Sequence, residues 1–237
     1  LHSDTHSFPT RRSSDLNVTS DISVTASFAA ITYTLTYTAG DNGTIDGSCL
    51  QTVSQGSDGT AVTAVPDTCY HFVEWSDGVA TASRTDTNVT GDITVTAEFA
   101  INQYTLTYTA GANGSITGDS SQTVPHGSDG SPVEAVPAEG YHFVKWSDDV
   151  LTASRTDVDV TGDISVEAEF EINQYTVTFL DHDGTELKTE TVAYGSGATA
   201  PVDPVREGHT FTGWDEAFDN ISSDLEVTAQ YEINTYT

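Results

Sequence analysis

Positive charge is nearly missing from this sequence. Seven lysines and arginines stand against 36 aspartates and glutamates, a formal net charge of −29 over 237 residues. So acidic a surface repels phosphate backbones and anionic headgroups, which argues against nucleic-acid and membrane-surface binding. Methionine is absent, and no apolar run reaches the ~20 residues of a transmembrane helix, so no membrane insertion is expected here. Neither the charged start nor the apolar core of a secretory signal occurs near the N-terminus. The motifs that carry catalysis are missing too: no nucleophile elbow, no HExxH, no glycine-rich phosphate loop and no zinc-ligand spacing. The chain therefore reads as non-enzymatic, with no cofactor and no metal. Its wealth of Thr, Asp, Gly and Ser suits a secreted or surface-displayed chain, or one from a salty habitat.

What is present is a repeat. Val89 to Tyr108, VTGDITVTAEFAINQYTLTY, recurs as Val18 to Tyr37 and Val160 to Phe179, each displaced by 71 residues. A fixed period marks a tandem architecture before any residue chemistry is considered. Within the stretch, Ile93, Val95, Ala97 and Phe99 alternate with Thr94, Thr96 and Glu98, and Tyr104, Leu106 and Tyr108 alternate with Thr105 and Thr107. This period of two, rich in β-branched and aromatic residues, predicts strands with one buried face. The joint Ala100-Ile101-Asn102-Gln103 is too short and too poor in Gly, Ser and Pro to be a flexible linker. The expected fold class is mainly β: an elongated tandem array of small modules.

Residues 1–16 have no counterpart in any repeat. Within them HSFPTRRSSDL, His6 to Leu16, resembles one reading frame of a common sequencing adapter, so the stretch is read as a non-native or disordered leader. Residues 17–30 are the tail of a truncated repeat. The first whole unit covers 31–100, the second 101–171 and a shorter third 172–232. Residues 233–237 start a further one, so the chain reads as a fragment of a longer array. Asn42-Gly43, Asn113-Gly114 and Asp183-Gly184 each predict a β-hairpin turn, because their residues tolerate positive φ. Tyr70 to Trp75 and Tyr141 to Trp146 are aromatic strands. Gly195 to Ala200 can hold one short helical turn before Pro201.

The third unit resembles the internalin B-type, or Listeria–Bacteroides, repeat. The likeness is carried by YTVTF, Gly184, VAYGS at Val192 to Ser196, Pro201, Pro204, EGHTFTGW at Glu207 to Trp214, and LEVTAQY at Leu225 to Tyr231. The first two units resemble its divergent bacterial relative, with YHFVEWSDG and YHFVKWSDD in place of GHTFTGW. The resemblance implies β-grasp-like modules strung along bacterial surface proteins as stalks, spacers or adhesive segments. It implies an extracellular, cell-surface location, a monomeric segment, and a protein or glycan on a host or neighbouring cell as partner.

Few residues invite a chemical role. Trp75, Trp146 and Trp214 occupy equivalent places, where they either fill the small core of each unit or stack on sugar rings as ligand contacts. Asp181 to Glu186 looks like part of a calcium loop but lacks the remaining ligands. The sequons at Asn17, Asn42, Asn88, Asn113 and Asn220 carry no role. His71 and His142 lie between aromatics inside strands, which suits packing better than proton transfer. Lys145 corresponds to Glu74 in the preceding unit, so Lys145 and Lys188 share no isopeptide design. Cys49 and Cys69, the only cysteines, become Ser120 and Gly140 one period on. Their joint absence there suggests a disulfide, which an exported chain would favour; the alternative is two free thiols acting as small apolar residues.

Overall fold

The computed structural model describes residues 20, 21 and 23–235. The leader at 1–16 lies outside them. Residues 23–30, in the expected tail of a truncated repeat, form no strand and leave Val24 and Phe28 exposed. The described chain falls into two compact units: residues through Val65 with Phe72–Glu98, and Pro66–His71 with everything from Phe99 on. Every regular element among the described residues is a strand.

The first repeat contains β1 (Thr32–Ala39), β2 (Gly43–Asp46), β3 (Leu50–Ser54), β4 (Val62–Pro66), β5 (Tyr70–Trp75), β6 (Ser83–Arg84) and β7 (Ile93–Ile101). They form a four-stranded sheet in the order β3-β1-β7-β5 and a three-stranded sheet β2-β4-β6. The second repeat copies this with β8 (Gln103–Ala110), β9 (Gly114–Thr117), β10 (Ser121–Pro125), β11 (Val133–Pro137), β12 (Tyr141–Trp146), β13 (Ser154–Arg155) and β14 (Ile164–Ile172), in sheets β10-β8-β14-β12 and β13-β11-β9. The third keeps only the larger sheet, β16-β15-β18-β17, from β15 (Gln174–Leu180), β16 (Glu186–Ala193), β17 (His209–Trp214) and β18 (Leu225–Ile233).

In every repeat the opening and closing strands lie side by side and parallel. Leu35 pairs with Ile93, Leu106 with Ile164 and Val177 with Leu225. A parallel pair needs a long return connection, and the intervening strands supply it. This decides what the Asn-Gly turns do. Asn42 and Asn113 adopt the expected left-handed φ of 67° and 68°. They do not close hairpins, because both edges of β1 are taken by β3 and β7, and both edges of β8 by β10 and β14. The turns instead send the chain into the second sheet. Only Asp183-Gly184 closes a hairpin, with Leu180 opposite Glu186 and Gly184 at φ 84°.

The period of two sets the core. In β1, Leu35 and Tyr37 are buried while Thr34 and Thr38 are exposed. Leu106, Tyr108, Val133, Trp146, Val166 and Ala168 anchor the second core, and Val177, Phe179, Ile221 and Val227 the third. The helical turn expected at Gly195 to Ala200 does not form. Gly195 takes φ 74°, and the amides of Gly195 and Ala198 donate to the carbonyls of Ile221 and Phe218 at 2.8 Å each, which holds the segment open.

Candidate functional site

Trp75 and Trp146 are the largest side chains with no exposed surface, 0% in each case. Each ends an aromatic strand and points into the core, and its indole N–H donates to a loop carbonyl, Thr81 at 3.1 Å or Thr152 at 3.0 Å. Tyr37 and Tyr108 meet these indoles edge-to-face at 6.0 Å between centroids. Two of the three tryptophans weighed as ligand contacts thus offer no face to a sugar. Trp214 is half-buried, against Phe179 at 5.0 Å and Phe211 at 5.4 Å.

Over each buried indole lies an arginine that the sequence reading passed over. The guanidinium carbon of Arg84 is 5.5 Å from the Trp75 ring centroid, and that of Arg155 is 5.6 Å from Trp146. Both arginines are 8% exposed. Arg84 donates through Nε and Nη2 to both carboxylate oxygens of Asp86, at 2.9 and 2.8 Å, and through Nη1 to Asp77 at 2.8 Å. Arg155 repeats this with Asp157 at 2.9 and 2.7 Å and Asp148 at 2.8 Å. The Tyr37 and Tyr108 hydroxyls close the circuit by donating to Asp86 at 2.6 Å and Asp157 at 2.7 Å. The signal was available: TASRTD stands identically at Thr81 to Asp86 and Thr152 to Asp157. The third repeat lacks the whole set. Phe179 replaces the tyrosine, and Lys188 lies 6.0 Å from its ring while pairing with Glu190 at 2.6 Å.

The clamp sets a pH dependence. Hydrogen bonds from Arg84 and Arg155 hold the Asp86 and Asp157 carboxyls below their ordinary range, outweighing the burial that raises them. Burial, then the facing carboxylates, push Tyr37 and Tyr108 up. For the aspartates the folded value lies below the unfolded one. Their contribution is therefore complete above about pH 3.9, the unfolded carboxyl value, and is lost as pH falls through the folded value. For the tyrosines the sign reverses, with the contribution complete below about pH 10 and lost above it. We expect the thermal midpoint to drop below about pH 4, and Asp86→Asn with Asp157→Asn to lower it at pH 7 while flattening that acid limb. Thermal scans across pH check this.

The remaining candidates have structural partners. Asp181, His182 and Asp183 bring their ligand atoms within 4.8 Å of one another. Asp181 already accepts from the His182 amide and the Tyr231 hydroxyl, both at 2.7 Å, and Asp183 from the Thr185 amide at 3.0 Å. The His182 side chain first, then Tyr231, draws the Asp181 carboxyl down to about 2. Lys145 pairs with Asp149 at 2.7 Å. His71 and His142 sit at the joints, with Nδ1 3.1 Å from the Asn102 side-chain oxygen and 2.9 Å from that of Asn173.

Cys49 and Cys69 are both free thiols in this structure. Each has its own local reason. Cys49 is exposed in the loop before β3, its carbonyl accepting from the Tyr37 amide at 2.9 Å. Cys69 fills the left-handed turn position before β5, φ 71°, where the second repeat has Gly140 at φ 80°.

Residues 33–103 and 104–174 each match the divergent InlB B-repeat domain. The chain belongs to the divergent InlB B-repeat family. Residues 175–235 match the Listeria-Bacteroides repeat domain. Among curated relatives, a putative membrane protein of Evansella cellulosilytica is 32% identical over 158 residues, covering 61% of this chain and 23% of the relative. A putative Gly-rich membrane protein of the same organism is 30% identical over 163 residues, covering 62% and 18%. Internalin H of Listeria monocytogenes is 43% identical over 83 residues, covering 33% and 15%. The chain therefore spans less than a quarter of the length of these relatives. A solved structure of streptococcal high identity repeats in tandem (SHIRT) domains 3-4 from a cell surface protein aligns at 21% identity with a TM-score of 0.26, over 56% of this chain and 98% of that one.

Proposed function

We propose that these InlB B-repeats form a non-enzymatic structural and adhesive segment of a bacterial cell-surface protein. One observation carries the reading: in the first two repeats the arginines, Asp86 and Asp157, and the buried tryptophans engage one another rather than a ligand. Such repeats act through reach and through weak contacts multiplied by valency, with a protein or glycan on a host or neighbouring cell as the partner. The glycan alternative now rests on Trp214 alone, since Trp75 and Trp146 have no accessible face. No helix among the described residues is long and apolar enough to cross a membrane.

Small-angle scattering of the full chain tests the reach. A spacer gives a radius of gyration well above the roughly 18 Å expected of a single globule of this length. A value near that figure would overturn the spacer reading.

A further inference from the structure

The joint between the second and third repeats is built around Asn173, inside one compact unit. The Asn173 amide donates to the carbonyl of Gly140 at 2.8 Å, in the turn before β12. Its own carbonyl accepts from the amide of Tyr194 at 2.9 Å, just after β16. One residue thus ties a turn of the second repeat to an edge strand of the third. The Tyr194 hydroxyl reaches back to Glu139 at 2.7 Å, and its ring lies over Gly140. A Cβ on Gly140 would stand 2.2 Å from Cδ1 and 2.6 Å from Cγ of that ring.

The preceding joint has the same wiring with different side chains. The Asn102 amide donates to Cys69 at 2.8 Å, and its carbonyl accepts from His126 at 2.8 Å. Here the turn residue carries a side chain at φ 71°, and the position that Tyr194 holds at the other joint belongs to the smaller His126. Both facing rings rest on the first tyrosine after the joint, His126 on Tyr104 at 5.9 Å and Tyr194 on Tyr175 at 6.5 Å. The turn without a side chain has a tyrosine at this position; the turn with one has a histidine.

We infer that the pair formed by the turn residue and the ring facing it is a size-matched docking code, which determines which InlB B-repeat can follow which. Gly140 with Tyr194 is one matched pair and Cys69 with His126 another. The inference rests on the tandem structural reading but concerns the fit of each joint, not the reach of the array.

Native-state hydrogen exchange on the full chain, followed by NMR under reducing conditions, tests it. The Asn173 and Tyr194 amides report the joint. The Gly111 amide, bound to Ala168, and the Asp215 amide, bound to Thr228, report the interiors of the two repeats. Gly140→Cys should speed exchange at the joint amides about tenfold while the interior amides hold. Adding Tyr194→His, which installs the pair of the first joint, should restore protection to within about threefold of the original. If Gly140→Cys leaves the joint protected, no size code exists. If the double variant stays as open as the single one, the cost is left-handed backbone strain at position 140 rather than a mismatch, and the inference fails. Either failure leaves the scattering result, and the structural reading with it, untouched.

Discussion

Arg155→Ala should destabilise the second repeat by about 3–5 kcal/mol, the range for removing one partner of a buried ion pair. The cost comes from what stays behind more than from the lost attraction. The Asp157 side chain is 14% exposed, and without the guanidinium it keeps only the Tyr108 hydroxyl as a donor. Asp148, 40% exposed, rehydrates at little cost. Arg155→Lys should recover only part of the loss, because an ammonium cannot present the planar fork that serves Asp157 and Asp148 together while lying over Trp146. Arg155→Leu with Asp157→Leu should be milder than Arg155→Ala alone, since it strands no charge. Denaturant titrations followed by Trp146 emission, with Trp75 and Trp214 replaced by phenylalanine, isolate the second repeat. A midpoint unmoved by Arg155→Ala would show that the clamp contributes nothing.

The strands were legible and their partners were not. Alternation at Leu35, Tyr37, Val95 and Ala97 names the buried face, but a period of two is the same for parallel and antiparallel neighbours. Nothing local in YTLTYTAGDNG says that Gly43 leaves for a second sheet; that follows only once Ile93 to Ala97 occupy the edge an Asn-Gly hairpin would need. The cysteines sit in separate local settings. Their paired absence from the second repeat looked like a lost bridge, yet Cys69 stands in for a turn glycine and Cys49 for an exposed loop serine. The arginine clamp was legible and missed, because charge in so acidic a chain invites a reading as surface. The better guide was identity across the period, with Tyr37, Arg84 and Asp86 recurring as Tyr108, Arg155 and Asp157 and all three absent from the third repeat. The joint asparagines were seen as spacing and not as chemistry, since the links they make across each joint run through backbone groups that every residue has.

Trp146→Ala should cost the second repeat about 3–5 kcal/mol, the usual price of deleting a fully buried tryptophan. Three losses combine: the indole's buried apolar surface, its N–H bond to Thr152, and the ring beneath Arg155. The residual cavity is lined by Tyr108 and Phe143, both in ring contact with the indole, and strand pairing limits how far their β-strands can collapse into it. Because Arg155 and Trp146 touch, their losses should not add. The double alanine variant should fall short of the sum by about 0.5–3 kcal/mol, the scale of coupling between residues in contact. The third repeat has its own buried cluster around Phe179, so its interior amides should keep their protection while those of the second repeat exchange faster. Trp214→Ala should act on the third repeat by less than Trp146→Ala does on the second, since a half-buried ring removes less from the core. Residue-resolved hydrogen exchange on the full chain separates these outcomes. Equal losses at Trp146 and Trp214, or full additivity with Arg155→Ala, would mean that the buried indole and its arginine do not act as one structural unit.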